Sequence, residues 1–119
     1  MTRRDIRAFL FDIEQACGSV ADFTANKALS DYLAEPMLRS AVERQFEIIG
    51  EALNQALSVD LTLRSQITGA SSIIAFRNRL IHGYATVAHE TVWGIVHGKL
   101  PLLRQEVAAL LSGAQGDVR

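Results

Sequence analysis

Apolar residues recur every three or four positions along most of this 119-residue chain. The spacing places them on one side of successive α-helices, and the first helix is predicted from about Arg3 to Phe23. Thr2 is its predicted N-cap, with Asp5 in the first turn. The two prolines and eight glycines do not recur at the short intervals typical of an all-β chain, so long helices are favoured. The apolar stripe of this first helix is Ile6, Leu10, Ile13, Cys17 and Val20.

Three further long helices are predicted from the same spacing, with short helical turns between them near Ser30 and Leu63. Pro101 is expected to kink the last helix, because proline lacks the N–H that the helix ladder needs. The prediction is therefore an all-α, up-and-down bundle of four main helices with a short extra helix. A flexible C-terminal tail is expected to follow the helical domain. The predicted bounds are 36–57 for the second long helix, 89–111 for the last one, 1–111 for the domain and 112–119 for the tail.

Composition excludes several classes of protein. A chain of 119 residues, 49% hydrophobic and 21% charged, suits one domain and is too apolar for disorder. No stretch reaches the roughly 20 apolar residues of a membrane span. Twelve Lys and Arg against thirteen Asp and Glu give a formal charge of -1, so any contact with nucleic acid must be local. The single cysteine, Cys17, and the lack of a secretory signal predict a cytoplasmic protein with this thiol buried as an apolar group.

Glu43, Glu47 and Glu51 lie at four-residue steps along the second long helix. This spacing stacks three carboxylates along one flank, where like charges repel unless cations face them. Two interpretations remain open: the flank is a solvated surface, or it faces arginines from another helix or a second subunit. None of the three histidines has a glutamate three residues before it, so no di-metal site of the helical-bundle type is expected and no cofactor is predicted.

The third long helix carries the candidate chemistry. Its stripe of Ile73, Phe76 and Leu80 is predicted to face the core, and Arg77 lies beside this stripe. A guanidinium in that position needs a carboxylate, a phosphate or solvent, because an uncompensated buried charge is costly. Ser71 or Ser72 is the predicted N-cap of this helix. Gly83 is expected to end it in a left-handed turn.

Residue types alone leave two interpretations of this segment open. In one, Arg77 and Arg79 are ion-paired surface residues and His82 interacts with the C-terminal dipole of the helix. In the other, Arg77 and His82 bind a phosphate, although five residues on an ideal helix leave them about 140° apart. Unwinding at Gly83 could bring His82 and Tyr84 towards Arg77. Alternatively, two subunits meeting along this face could gather Arg, Asn, His and Tyr side chains around one phosphate.

The run from Arg77 to Tyr84, Arg-Asn-Arg-Leu-Ile-His-Gly-Tyr, resembles the Arg-x4-His-x-Tyr signature of the HepT-like toxins of the HEPN superfamily. Two further blocks resemble the same family in the same order, so the resemblance covers nearly the whole chain. These blocks are 41–44 with 46–52, which resemble the second helix of the family, and Val92-Trp93 with Leu100-Pro101, which resemble its last helix.

This resemblance implies a HEPN-like helical bundle that acts as the toxin of a type VII-like toxin–antitoxin system. The implied activity is cleavage of RNA by a metal-independent endoribonuclease. The resemblance also implies that the protein is a homodimer and that a nucleotidyltransferase antitoxin of the MNT type neutralises it. Arg77 and His82 would be the catalytic pair, supported by Asn78. Tyr84 would be the hydroxyl to which the antitoxin attaches AMP. The resemblance gives no catalytic role to the three glutamates.

The residue types suit this chemistry. RNA carries a 2′-OH beside each phosphodiester, so a base and a cation can cleave it without a metal ion. His82 can act as base or acid near neutral pH, and Arg77 can clamp a phosphate with its planar guanidinium.

Two alternative functions are a non-catalytic HEPN partner of a nucleotidyltransferase and a purely structural bundle. Trp93 is expected to pack in the core or an interface, and His89 and His97 are predicted at the surface.

Overall fold

The computed structural model describes residues 5–83 and 87–116, with backbone only for 114–116. These residues form four long helices and two short ones, and no strand occurs among them, which confirms the predicted all-α class. No helix in this part of the chain is long and apolar enough to cross a bilayer. The helices are α1 (Ile6–Thr24), α2 (Leu29–Ala34), α3 (Pro36–Val59), α4 (Leu63–Gln66), α5 (Ala70–His82) and α6 (His89–Gly116).

The core lies where α1 packs against α3 and α6, and α5 packs against α3. The long helices bury apolar stripes, as their spacing predicted. Complete burial of one Val, Leu, Ile or Phe side chain contributes about 1.5–3 kcal/mol, so these stripes supply most of the driving force for folding. The most deeply buried side chains include Ile13, Val20, Val42, Phe46, Ile49, Leu53, Val92, Leu103 and Val107.

The two ends of α5 differ from the prediction. Gly69 has a left-handed backbone (φ 69°, ψ 23°) and precedes the helix, which therefore begins at Ala70 rather than after Ser71–Ser72. Glycine adopts this conformation without the steric cost that a Cβ would add. Gly83 has φ -91° and ψ 6°, so the left-handed turn predicted there is wrong. The helix remains regular through His82, and this decides where the histidine points.

The start of α1 and the end of α6 also differ from the prediction. α1 begins at Ile6, and the carboxylate of Asp5 accepts a hydrogen bond from the Arg7 amide at 3.2 Å. Asp5 is therefore the cap itself, because its side chain satisfies a free amide of the first turn. Thr2, the predicted cap, lies outside the described residues.

α6 runs without interruption through Pro101 and ends at Gly116, five residues beyond the predicted end at Leu111. The proline lacks an N–H, so the carbonyl four residues earlier has no helix donor at that point. Residues 112–116 are helical, and the rest of the predicted flexible tail lies outside the described residues.

Cys17 is 3% exposed, and burial raises the pKa of its thiol to about 12, opposed by the nearby charge of Arg104. We expect iodoacetamide at pH 8 to modify Cys17 roughly 10³-fold more slowly in the native protein than in urea, because the thiolate is the reactive form. Mass spectrometry of timed samples measures both rates. Equal rates would contradict a buried, protonated thiol.

Candidate active site

An aromatic contact holds α5 against α3. The rings of Phe46 and Phe76 meet edge to face, with centroids 5.2 Å apart and an interplanar angle of 74°. Both side chains are buried, so the contact helps to fix the position of α5 along α3. Arg77 follows Phe76, about 100° around the helix, and its stem also lies at the α3–α5 interface, against Gly50.

Gly50 provides the space for the stem of Arg77. This glycine is buried in α3, and a Cβ built on it would overlap Cβ and Cγ of Arg77 and approach its Cδ to 3.1 Å. The methylene groups of Arg77 therefore lie directly on the α3 backbone. No role was predicted for Gly50 from the sequence, although a glycine inside a helical pattern is a signal of close packing.

Two acceptors hold the tip of the Arg77 side chain. Its Nη2 donates to Oε1 of Glu51 at 2.8 Å, and its Nη1 donates to Oδ1 of Asn78 at 2.9 Å. Within the described residues, Nε of Arg77 is buried and has no hydrogen-bond partner. Only 23% of the Arg77 side chain is exposed, so the Glu51 carboxylate supplies the compensation that a partly buried guanidinium needs.

The three evenly spaced glutamates of α3 have different surroundings. Glu51 faces Arg77 of another helix, which is one of the two interpretations that the spacing left open. Glu47 pairs with Arg44 of its own helix at 3.1 Å, on the surface. Glu43 instead lies close enough to a buried tyrosine to affect its pKa. The three carboxylates therefore do not form one acidic surface.

That tyrosine, Tyr32, belongs to a separate cluster for which no role was predicted from the sequence. Its ring packs on Trp93, with centroids 5.2 Å apart, and meets His89 edge-on at 6.2 Å. Burial, and secondly the charge of Glu43, raises the pKa of Tyr32. Trp93 packs as expected, and His97 is exposed as predicted. The prediction of a surface position for His89 is wrong, because its ring is partly buried against Tyr32.

His82 is the last residue of α5, and its side chain is exposed. It forms no hydrogen bond or ion pair with any described residue. Because α5 stays helical to this point, Arg77 and His82 remain about 140° apart around the helix axis. The backbone leaves the helical conformation at Gly83, after His82, so this end of the helix does not turn His82 back towards Arg77. Of the predicted site residues, one chain brings together Arg77 and Asn78 but not His82, and Tyr84 lies outside the described residues.

The contact between Glu51 and Arg77 makes a prediction about stability. We expect Glu51→Ala to lower the free energy of unfolding by about 1–2 kcal/mol, because it leaves a partly buried guanidinium without its carboxylate. Urea unfolding followed by circular dichroism measures the change.

Glu47→Ala is the matched control, one turn earlier on the same helix. Its partner Arg44 is 67% exposed, so its loss should change the free energy of unfolding by less than about 0.5 kcal/mol. Glu51 also accepts a hydrogen bond at 3.0 Å from Gln55 of its own helix, so each variant loses one exposed contact within α3. Because helix propensity also changes identically, the difference between the two variants reports chiefly the loss of the Arg77 contact. Equal effects would show that Glu51 does not stabilise Arg77.

The chain matches a family model described as "Ribonuclease HepT-like" over residues 13–110, which include the α3–α5 contact and His82. The protein named "Putative RNase MJ0127" of Methanocaldococcus jannaschii is 30% identical over 117 residues, covering 98% of this chain and 96% of its own length. "Probable ribonuclease HepT" of Thermococcus cleftensis is 29% identical over 102 residues, covering 86% of this chain and 92% of its own length. No solved structure matches the chain.

Proposed function

The chain belongs to the HepT-like ribonuclease family of the HEPN superfamily, and from this membership we propose that it is an endoribonuclease that cleaves RNA without a metal ion. The observation that carries the proposal is the arrangement of Arg77. Its stem lies on Gly50, and its guanidinium is oriented by Glu51 and Asn78, while His82 is exposed at the end of the same helix. A fixed cation and an accessible imidazole are the two groups that this cleavage requires.

Arg77 would hold the phosphate at which the chain is cut. Its planar guanidinium is permanently charged and suited to paired hydrogen bonds with phosphate oxygens. Negative charge grows on those oxygens as the fifth bond to phosphorus forms, so a cation already in place stabilises the transition state more than the ground state. Asn78 and Glu51 act through Arg77, since they limit the directions in which its guanidinium can turn.

His82 would transfer the protons. As a base it takes the proton of the ribose 2′-OH, whose oxygen then bonds to the adjacent phosphorus while the bond from phosphorus to the 5′-oxygen breaks. An acid returns a proton to the departing 5′-oxygen, which leaves a 2′,3′-cyclic phosphate and a 5′-OH. An imidazole can take either part near neutral pH.

We further propose that the complete site forms in a homodimer. Within one chain Arg77 and His82 point to different sides of α5, so one phosphate cannot readily contact both. Two copies related by a two-fold axis along α5 would place the Arg77 of one subunit near the His82 of the other.

The regulatory partner that we propose is a nucleotidyltransferase antitoxin of the MNT type, which attaches AMP to Tyr84. The modification would add bulk and negative charge two residues from His82, and both oppose the approach of an RNA backbone. With a formal charge of only -1, the protein has no large cationic surplus to offset a local anion.

A cleavage assay tests the proposal. Purified protein is incubated with a synthetic RNA in EDTA, and the product ends are identified by mass spectrometry. We expect products with 2′,3′-cyclic phosphate and 5′-OH ends. The His82→Ala protein, purified identically, excludes a contaminating ribonuclease. Cleavage that requires an added divalent cation would contradict the mechanism. Intact RNA together with stable binding to a nucleotidyltransferase would favour the non-catalytic alternative.

A further inference from the structure

A groove runs between α5 and α6 on a side of α5 away from the contact with Glu51. Its volume is about 280 Å³. Phe76 and Ile95 lie in it as apolar side chains, one buried and one partly buried. Ser72 and Arg79 line it from α5, and Thr91 and Lys99 line it from α6. The groove therefore combines an apolar surface with two hydroxyls and two cations.

The two cations, Arg79 and Lys99, stand on opposite walls of the groove. Both side chains are exposed, and neither forms an ion pair with any residue in 5–83 or 87–116. None of the described residues that line the groove is acidic. In a protein with a formal charge of -1, this is a local positive surface that its own carboxylates leave uncompensated.

The groove extends towards the proposed catalytic histidine. Arg79 and His82 are three residues apart on α5, which makes them neighbours on the helix surface, separated by about 60° around the axis. Arg77 lies about 160° from Arg79 on the same helix, facing α3. A strand of nucleic acid lying along the groove would therefore pass His82 at the end of α5.

We propose that this α5–α6 groove binds the sugar-phosphate backbone of single-stranded RNA next to the scissile phosphate, with Arg79 and Lys99 contacting phosphates. Ser72 and Thr91 are placed to donate hydrogen bonds to backbone oxygens, a common use of hydroxyl side chains on nucleic acid. Ile95, which is only partly buried, offers apolar contact to a ribose. This inference rests on the proposed function, because it names the surface that brings the substrate to that site.

A second copy of the chain fits this surface poorly. A two-fold interface brings the same patch of both subunits together, so Arg79 and Lys99 would face the same cations of the partner. Like charges placed together in an interface are unfavourable, whereas a phosphate backbone is complementary to both cations.

The test measures RNA binding apart from cleavage. A fluorescent single-stranded RNA of about 12 nucleotides, 2′-O-methylated so that it cannot be cut, is titrated with protein at several salt concentrations. The groove variant is Arg79→Gln with Lys99→Gln. The control variant, Arg7→Gln with Lys27→Gln, removes one exposed arginine and one exposed lysine outside the groove. Both double variants have the same formal charge.

We expect the groove variant to bind at least about tenfold more weakly than the wild type at low salt, and the control variant to bind as the wild type does. The slope of log K against log salt should fall in magnitude by about 1.4 for the loss of two phosphate contacts on a single strand. Equal affinities and slopes for both double variants would overturn the proposal. So would a groove variant with a changed oligomeric state and unchanged RNA affinity, since the groove would then be a subunit interface.

Failure of this inference can be distinguished from failure of the proposed function. Wild-type cleavage with an unaffected groove variant would reject the groove alone. Absence of wild-type cleavage, with selective loss of binding in the groove variant, would reject the nuclease and retain the RNA surface.

Discussion

The His82→Ala protein is expected to cleave RNA with a kcat/KM about 10²–10⁴-fold below that of the wild type, the usual contribution of a positioned acid or base. The decrease should appear in kcat rather than in KM, because His82 would act in the transition state rather than in substrate binding. Its side chain is exposed, so the unfolding midpoint should not change. Single-turnover cleavage of a labelled RNA measures the rate, and circular dichroism measures stability.

His97→Ala is the control for this experiment, because it removes another exposed histidine, in α6. We expect it to cleave at the wild-type rate. A His82→Ala protein that cleaves as fast as His97→Ala would show that His82 is not the proton-transfer group.

Mixing inactive variants tests whether the site is shared between subunits. Arg77→Ala and His82→Ala proteins are denatured together and refolded, so that mixed dimers form. One of the two sites in each mixed dimer would then hold both intact residues, which should restore up to about a quarter of wild-type activity. No recovery would contradict a site built from Arg77 of one subunit and His82 of the other.

Gly50→Ala is expected to be the most disruptive single-methyl change in the α3–α5 interface. The new Cβ would overlap Cβ and Cγ of Arg77, and these atoms cannot move without shifting α5 itself. We expect the free energy of unfolding to fall by about 1–3 kcal/mol, as for other overpacked interiors, although alanine is the better helix former. The cleavage rate of this variant should also fall, because Arg77 would be displaced. Urea unfolding and the cleavage assay provide the two measurements.

Gly94→Ala controls for the helix propensity of alanine. Gly94 lies within α6, and a Cβ built on it has no neighbour within 4 Å. This variant should gain about 0.5–1 kcal/mol of stability and keep full activity. If Gly50→Ala were equally stabilising, Arg77 could not lie as closely on α3 as the structure places it.

The long helices were predictable from the sequence because each buries a stripe of apolar residues that recur every three or four positions. The stripe of α1 is an example: Leu10, Ile13, Cys17 and Val20 are all buried. Helix ends were less predictable, because they depend on single backbone conformations. Gly69 takes the left-handed conformation expected of Gly83, and two serines that suit a cap lie inside the helix instead.

The site was predictable only in part. The position of Arg77 beside the apolar stripe indicated that it needed a carboxylate, a phosphate or solvent, and the spacing of three glutamates offered candidates. Selecting Glu51 requires the position of α5 along α3, which depends on the contact of Phe46 with Phe76 and on the missing side chain of Gly50. In the proposed homodimer, the distance between Arg77 and His82 also depends on how the second subunit docks, which helical periodicity does not predict.

In the proposed mechanism, the carboxylate of Glu51 would compete with the substrate phosphate for Arg77. In the absence of RNA the guanidinium already has an anionic partner, so an incoming phosphate must share it or displace a carboxylate rather than occupy a bare positive charge. A passing polyanion would gain little from such an exchange. A phosphate positioned by RNA contacts on both sides of the cleavage site would gain more, because those contacts already offset the entropic cost of bringing it to Arg77. Glu51 would thus favour RNA that is bound along the whole site over non-specific binding of other cellular phosphates.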